Sequence, residues 1–390
     1  MQPFAFHSPT KITFGEDAAC GAYEVTRELG GKRTLIVTDA NLLNAGVLAS
    51  VLAAFENGND SASNQPIIFD EVPPDSDLDC VRSAASLARR AGCDSVLAVG
   101  GGSVIDTAKV ANICLAYGGD LLDYLGLNNL PTKLFPMVAI PTTAGTGSEV
   151  SPVALIRDRD EQRKLLFGSP FLAPDLAILD PKLIVSLPPS LTAATGLDAL
   201  THDLESYAAL ISVSPFSDAL CLESMRLIFQ FLERATKCAD DMEARAATLV
   251  ASTMAGVAFT NAGVGLIHAL AHATGAKYGT HHGMTNAVFL PHGMEFNLES
   301  VAGRYGSAAR FLGISNELDD DKAARELIKA VRSLVARCGL PTRLKDLGVP
   351  AISESELEGL ACAASTDAAI IFNPREPSLT EIIGVYKRAY

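Results

Sequence analysis

Ser95-Val96-Leu97-Ala98-Val99-Gly100-Gly101-Gly102-Ser103-Val104-Ile105-Asp106 is the stretch on which the fold turns. A short apolar run of this kind reads as a strand buried on both faces. It empties into three glycines, and a helix begins at Val104. Strand, glycine turn and helix N-terminus together make a phosphate cradle, because bare amides point outward and the helix dipole favours anions. The spacing is not G-x-G-x-x-G, and a tight turn with no ligand leaves the same glycines.

Outward from this stretch the pattern repeats. Residues 11–15, 34–39, 66–70 and 176–180 are strand-like, and residues 43–56 and 80–91 are helical. Between them, residues 57–65 are polar and predict a surface loop. Met137-Val138-Ala139-Ile140-Pro141 is a strand that opens into Thr142-Thr143-Ala144-Gly145-Thr146-Gly147-Ser148-Glu149, a second wall for a pyrophosphate. Residues 153–156 and 164–167 continue the strand pattern. Alternation of this kind predicts a largely parallel α/β sheet.

After Ser186-Leu187-Pro188-Pro189-Ser190 the strand signal stops. Helical segments follow at 191–209, 215–235, 241–260, 264–275, 284–297, 321–338 and 354–363. The expected organisation is an α/β domain over residues 1–188 and an all-helical domain over 189–390.

The helical half concentrates histidine. Of seven in the chain, six lie between His202 and His292. His268 and His272 are four residues apart in an Ala/Leu-rich run, so they share a helix face. Asp198 and His202 repeat that spacing upstream, and His281-His282-Gly283 follows downstream. Histidine is the commonest metal ligand, and two such helices facing each other could converge on one ion. Hydrogen-bonded core histidines without metal are the alternative.

Composition narrows the function. A chain of 390 residues exceeds one core, which predicts two domains. A hydrophobic fraction of 48% with 19% charged residues fits a globular enzyme rather than a disordered chain. The net charge of −14 leaves no basic surface for nucleic acid. Eight scattered cysteines without C-x-x-C predict free thiols in a reducing cytoplasm. Met1-Gln2-Pro3-Phe4 lacks the pattern of a signal peptide, and no apolar run is long enough to span a membrane.

Taken together, these segments resemble the iron-containing (group III) alcohol dehydrogenases over essentially the whole length. The resemblance is carried by Gly100-Gly101-Gly102-Ser103-x-x-Asp106-x-Ala108-Lys109, by residues 141–149, by Ala177-Ile178-Leu179-Asp180-Pro181 through Gly196-Leu197-Asp198 to His202 and Glu205, and by Gly265-x-x-His268-x-x-Ala271-His272-x-x-Gly275 closing at His282-Gly283. It implies an N-terminal Rossmann-like dinucleotide-binding domain, an all-helical metal-binding C-terminal domain (a dehydroquinate synthase-like architecture) and a site in the cleft between. It places the metal ligands at Asp198, His202, His268 and His282. Two departures stand out: His281 replaces the usual Pro before the last ligand, and Pro73-Pro74-Asp75 replaces an Asn that touches the cofactor.

One carboxylate and three imidazoles would accept Fe(II), Zn(II), Co(II) or Ni(II). Such an ion would act as a Lewis acid on the substrate oxygen while NAD(H) carries the hydride. The resemblance assigns Gly101, Gly102, Ser103, Asp106, Thr142, Thr143, Thr146 and Lys164 to the cofactor. Asp39 ends its strand where an adenosine ribose should lie, and its charge would favour NAD over NADP. His272, one turn from a ligand, is expected to relay a proton or to position the nicotinamide; a structural role is the alternative. The pocket positions Val153, Leu155, Phe259 and Ala368–Phe372 are apolar. By resemblance these line the substrate pocket and predict a small-molecule substrate, a simple primary alcohol or aldehyde; a homodimer or larger homo-oligomer is expected separately. A member acting on a diol, hydroxy acid or maleylacetate-type compound, and a non-catalytic nucleotide- or metal-binding protein, are the competing readings.

Overall fold

The computed structural model of the chain describes residues 3–58, 65–159, 161 and 163–390. Most of the expected polar loop at 57–65 therefore lies outside the described residues. Two compact units are present: Ser8–Leu187, and Met1–His7 together with Pro188–Tyr390.

The first unit holds strands β1 (Lys11–Phe14), β2 (Thr34–Val37), β3 (Ile67–Phe69), β4 (Ser95–Gly100), β5 (Gly126–Leu127), β6 (Met137–Pro141), β7 (Val153–Asp158), β8 (Arg163–Gly168) and β9 (Leu176–Leu179). Its helices are α1 (Ala22–Glu28), α2 (Ala40–Asn44), α3 (Ala49–Gly58), α4 (Leu78–Ala91) and α5 (Gly102–Tyr117). Six strands form a sheet in the order β1-β9-β6-β4-β2-β3, with parallel pairing throughout. Side chains alternate between two buried faces, as a strand's period of two requires. Leu35, Val37, Val96 and Ala98 enter one core; Ile36, Leu97, Val99 and Ile140 enter the other.

Register places the loops. Gly100 pairs with Pro141, so the turn after β4 and the loop after β6 leave the same sheet edge side by side. Ligands of open α/β sheets bind outside this carboxyl edge.

Two expectations change. Residues 43–56 are not one helix: Gly46, at φ 73°, separates α2 from α3. Nor do residues 153–156 and 164–167 extend the parallel sheet. They lie in an antiparallel hairpin, β7 with β8, which joins β5 in a separate three-stranded sheet. The connection between them is too short for the crossover that parallel strands need.

The second unit holds α6 (Pro189–Ala208), α7 (Pro215–Lys237), α8 (Met242–Ala262), α9 (Leu266–Tyr278), α10 (His282–Phe311), α11 (Asp320–Arg337), α12 (Glu354–Ser365) and α13 (Leu379–Ala389). Every residue from Thr192 to Ala208 is buried, and α6 packs against α7, α8 and α10. Met1–His7 joins this unit: His7 donates its backbone N–H to Asn261 Oδ1 at 2.7 Å, and Phe4 and Phe6 meet Phe216. Capping boxes at Ser214, Ser353 and Ser378 start α7, α12 and α13.

The segment expected at 284–297 runs on to Phe311, past Pro291 and a kink at Val301. Gly303 and Gly306 weaken its helix signal, yet Gly306 is where the start of α11 comes close: a Cβ there would meet Asp320 at 3.0 Å. No single described helix is long and apolar enough to cross a membrane.

Candidate active site

Helix α6 carries Asp198, His202 and Glu205 at i, i+4 and i+7, which puts all three on one face. Helix α9 adds His268 and His272, and the first turn of α10 adds His282 and Asn286. Asp198 and His268 are almost wholly buried, while the His282 side chain is 32% exposed. Buried acids and imidazoles need partners, and these have each other.

Asp198, His268 and His282 each offer a donor atom, and the three atoms lie within 4.8 Å of one another. Asp198 Oδ1 is 3.5 Å from His282 Nε2 and 3.8 Å from His268 Nε2. Ligand atoms about 2.1 Å from a tetrahedral ion stand about 3.4 Å apart, so the set fits one divalent cation. His202 lies against this cluster as a stacked ring, 4.5 Å from the His268 centroid and 4.5 Å from Phe259. His281 caps α10 without a side-chain hydrogen bond and does not join the cluster.

Glycine makes the convergence possible. A Cβ on Gly283 would stand 2.4 Å from the Ala194 carbonyl oxygen, so only glycine lets the start of α10 sit on the α6 backbone next to Asp198.

Outer partners fix the rings. Glu205 Oε2 accepts from His268 Nδ1 at 2.5 Å, and Oε1 accepts the Ile267 backbone N–H at 2.6 Å. The proton thus sits on Nδ1, leaving the Nε2 lone pair toward the cluster, as second-shell carboxylates arrange in metal sites. Burial pushes the His268 imidazole down to about 3, so the ring is neutral, the form that binds metal. Asn373 Oδ1 accepts from the Leu266 N–H, and Asp367 Oδ2 holds His272 Nδ1 at 2.9 Å. The turn Ala368–Phe372 is therefore tied down on both flanks. His272 also stacks on His282 at 5.3 Å.

Of these partners, Glu205 could have been singled out from its spacing after Asp198 and His202. Asn286 repeats the same logic four residues after His282. Nothing in the sequence marks Asp367 or Asn373.

In the α/β unit the glycine turn and the threonine loop close on one another. A Cβ on Gly102 would meet Thr146 Cγ2 at 2.8 Å, and one on Gly101 would meet Thr143 Cγ2 at 3.2 Å. Thr142 donates its N–H to the Gly100 carbonyl. Gly101 is the N-cap of α5, and Ser103 Oγ accepts from the Asp75 N–H. Asp106 braces the loop: Oδ1 accepts from Ser148 Oγ at 2.5 Å and Oδ2 from the Leu155 N–H at 2.9 Å. Beside it, buried Lys109 donates to Ser148 Oγ, Ser151 O and Val153 O. Lys164 pairs with Asp75 at 3.0 Å, in the segment that departs from the family pattern. Asp39 Oδ1 caps α2 through the Asn41 and Leu42 N–H groups.

Comparison with known proteins agrees with this geometry. The family described as iron-containing alcohol dehydrogenase matches residues 9–181, and its C-terminal counterpart matches 192–390. The chain is 36% identical to the NAD-dependent methanol dehydrogenase of Bacillus methanolicus, covering 98% of this chain and 99% of that one. It is 35% identical to the 1,3-propanediol dehydrogenase of Citrobacter freundii, over 99% of each. The alcohol dehydrogenase from Oenococcus oeni superposes with a TM-score of 0.94 at 32% identity, over 100% of both chains. With both halves matched and the donor set assembled, the chain belongs to the iron-containing alcohol dehydrogenase family and is an oxidoreductase of alcohols and aldehydes.

Proposed function

We propose that the chain exchanges hydride between NAD(H) and small apolar primary alcohols or aldehydes, the helical unit holding the metal and the α/β unit the dinucleotide. The enzyme is an NAD-dependent alcohol dehydrogenase; the narrower substrate class and the roles of single residues are assigned here. One observation carries the reading: the converging donors of Asp198, His268 and His282, with His268 oriented by Glu205.

Asp198, His268, His282 and, after rotation out of its stack, His202 would hold the ion. When bound, the ion supplies Lewis acidity toward the substrate oxygen, and the family name points to iron, with Zn(II) chemically compatible. The chain's residues do the rest. Glu205 keeps His268 in the Nδ1–H form. Asp367 does the same for His272, leaving its Nε2 to take the hydroxyl proton on its way to solvent. Gly101, Gly102, Ser103 and the N-terminus of α5 receive the pyrophosphate, with Thr142, Thr143 and Thr146 as its second wall. Asp106 acts on the cofactor through that wall, and Lys164 reaches the nearby ribose.

Asp39 selects NAD. Oδ1 is spent on the helix cap, and the carboxylate charge repels a 2′-phosphate. Asp39→Gly is a clean probe, because Gly in place of an N-cap acid costs only about a few tenths of a kcal/mol. The NAD/NADP ratio of kcat/KM should narrow by at least tenfold, roughly 1.4 kcal/mol. An unchanged ratio would place selection elsewhere.

The proposed substrate class rests on the positions to which the family resemblance assigns the pocket, Val153, Leu155, Phe259 and Ala368–Phe372, all apolar here. A substrate hydroxyl or carboxylate buried among them would lack a partner, at about 1–3 kcal/mol. Each added methylene should gain about 0.8 kcal/mol. The test is NADH absorbance at 340 nm, with protein reconstituted separately with Fe(II) and Zn(II). Ethanol, butanol, hexanol, 1,2-propanediol and 4-hydroxybutyrate are compared at one pH. A kcat/KM rising along the alkanols is expected; a diol or hydroxy acid at the top ends the apolar reading, and no turnover with any substrate ends the enzyme reading.

The eight cysteines are all free, which suits a reducing cytoplasm. Strand β1 is a sheet edge with Ile12 and Phe14 exposed, a surface suited to a second copy in a homodimer. Sedimentation at monomer mass would refute that assembly.

A further inference from the structure

Asn286 lies against the donor set without being one of its proposed ligands. It is fully buried, four residues after His282 on α10. Its Nδ2 lies 2.7 Å from Asp198 Oδ1, 3.2 Å from His268 Nε2 and 3.2 Å from His282 Nε2. Its Oδ1 is buried with no hydrogen-bond partner among the described residues. The amide orientation follows from these contacts: turned over, Oδ1 would face a carboxylate oxygen with no proton between them.

An amide nitrogen has two protons, and here three lone pairs converge on it. His268 has its proton on Nδ1, held by Glu205, so its Nε2 can only accept. The amide thus stands in front of all three donor atoms that would face a cation. We propose that Asn286 is the positioning residue of the metal centre: its N–H groups hold the Asp198 carboxylate and the two imidazoles at cation spacing, and it keeps the carboxylate bond when the ion takes over the imidazoles. This rests on Asp198, His268 and His282 being the ligands. Without that donor the carboxylate loses one of the bonds that orient it, and a tetrahedral ion tolerates little misalignment.

The test uses the full-length protein stripped of metal and titrated with Zn(II) or Co(II) against a competing chelator. Asn286→Leu keeps the volume and removes the donor. It should weaken binding roughly 10–100-fold, the usual effect of losing a ligand's outer partner, and shift the visible spectrum of the Co(II) form. The metal-free melting temperature should fall, because the buried Asp198 carboxylate loses a donor. Native affinity with an unchanged Co(II) spectrum overturns the proposal. Asn286→Asp decides the matter if the leucine variant does not fold. It places a second carboxylate beside Asp198, so the metal-free protein should melt lower and gain more from Zn(II) than the native chain. Equal melting and an equal gain would show that residue 286 does not face the donors. His282→Ala runs in parallel. If that variant keeps native affinity, the ligand assignment fails, whatever Asn286 does.

Discussion

His268→Ala protein, reconstituted with Fe(II) or Zn(II) and then desalted, is expected to retain no stoichiometric metal and to show no turnover, and His282→Ala likewise. Loss of an outer partner already costs roughly 10–100-fold in metal affinity, and loss of a ligand removes a bond as well as its geometry. For His268 the damage is compounded: buried Glu205 Oε2 would lose the Nδ1–H it accepts from. Elemental analysis of the purified variants is the measurement. Full activity in a variant shown to be metal-free would sink the site. Loss of metal from His281→Ala with retention in His282→Ala would move the ligand by one residue.

The second large effect is expected from one methyl group. Gly283→Ala places a Cβ 2.4 Å from the Ala194 oxygen and 2.9 Å from its carbonyl carbon, both backbone atoms of the most buried helix in the unit. Neither can swing aside as a side chain would, so α10 must shift its first turn and take His282 with it. Overpacking of this kind costs typically about 1–3 kcal/mol. A fall of roughly 5 °C in melting temperature follows for a unit of this size, together with weakened metal binding. Gly359→Ala is the internal contrast: that glycine lies exposed within α12 with nothing within 4 Å of an added Cβ. There the change should stabilise by up to about 1 kcal/mol through helix propensity. Equal melting of the two variants would refute the close-approach account.

The sequence announces those parts of this molecule that are written in a local period. Val96 to Asp106 contains a strand, a turn and a helix start within one window, and the parallel sheet follows from repeating it. Asp198 with His202 and His268 with His272 use the helical spacing, so the convergence of two helices could be expected. Glu205 and Asn286 obey the same spacing and stand out once Asp198, His202 and His282 are read as ligands on their helices. Asp367 is another matter: it reaches His272 across 95 residues, through packing that no window spans. The β7–β8 hairpin was hidden because a buried strand looks alike in parallel and antiparallel sheets; the short connection was the clue. Helix α13 carried its own announcement in Ser378-Leu379-Thr380-Glu381, a capping box ahead of an apolar run.

The donor atoms do not share one lifetime. Asp198 sits in the middle of a helix buried along its length, and its backbone can open only when much of the unit opens. His282 is the first residue of α10, partly exposed, and the residue before it offers no side-chain cap where the family usually has a stiff Pro. Helix ends fray first. The first turn of α10 is therefore expected to open before α6 or α9 does. Exchange of a bound ion is expected to keep pace with hydrogen exchange at Gly283–Thr285; exchange only as fast as global unfolding would refute this. A bound ion could then be replaced while the rest of the unit stays folded.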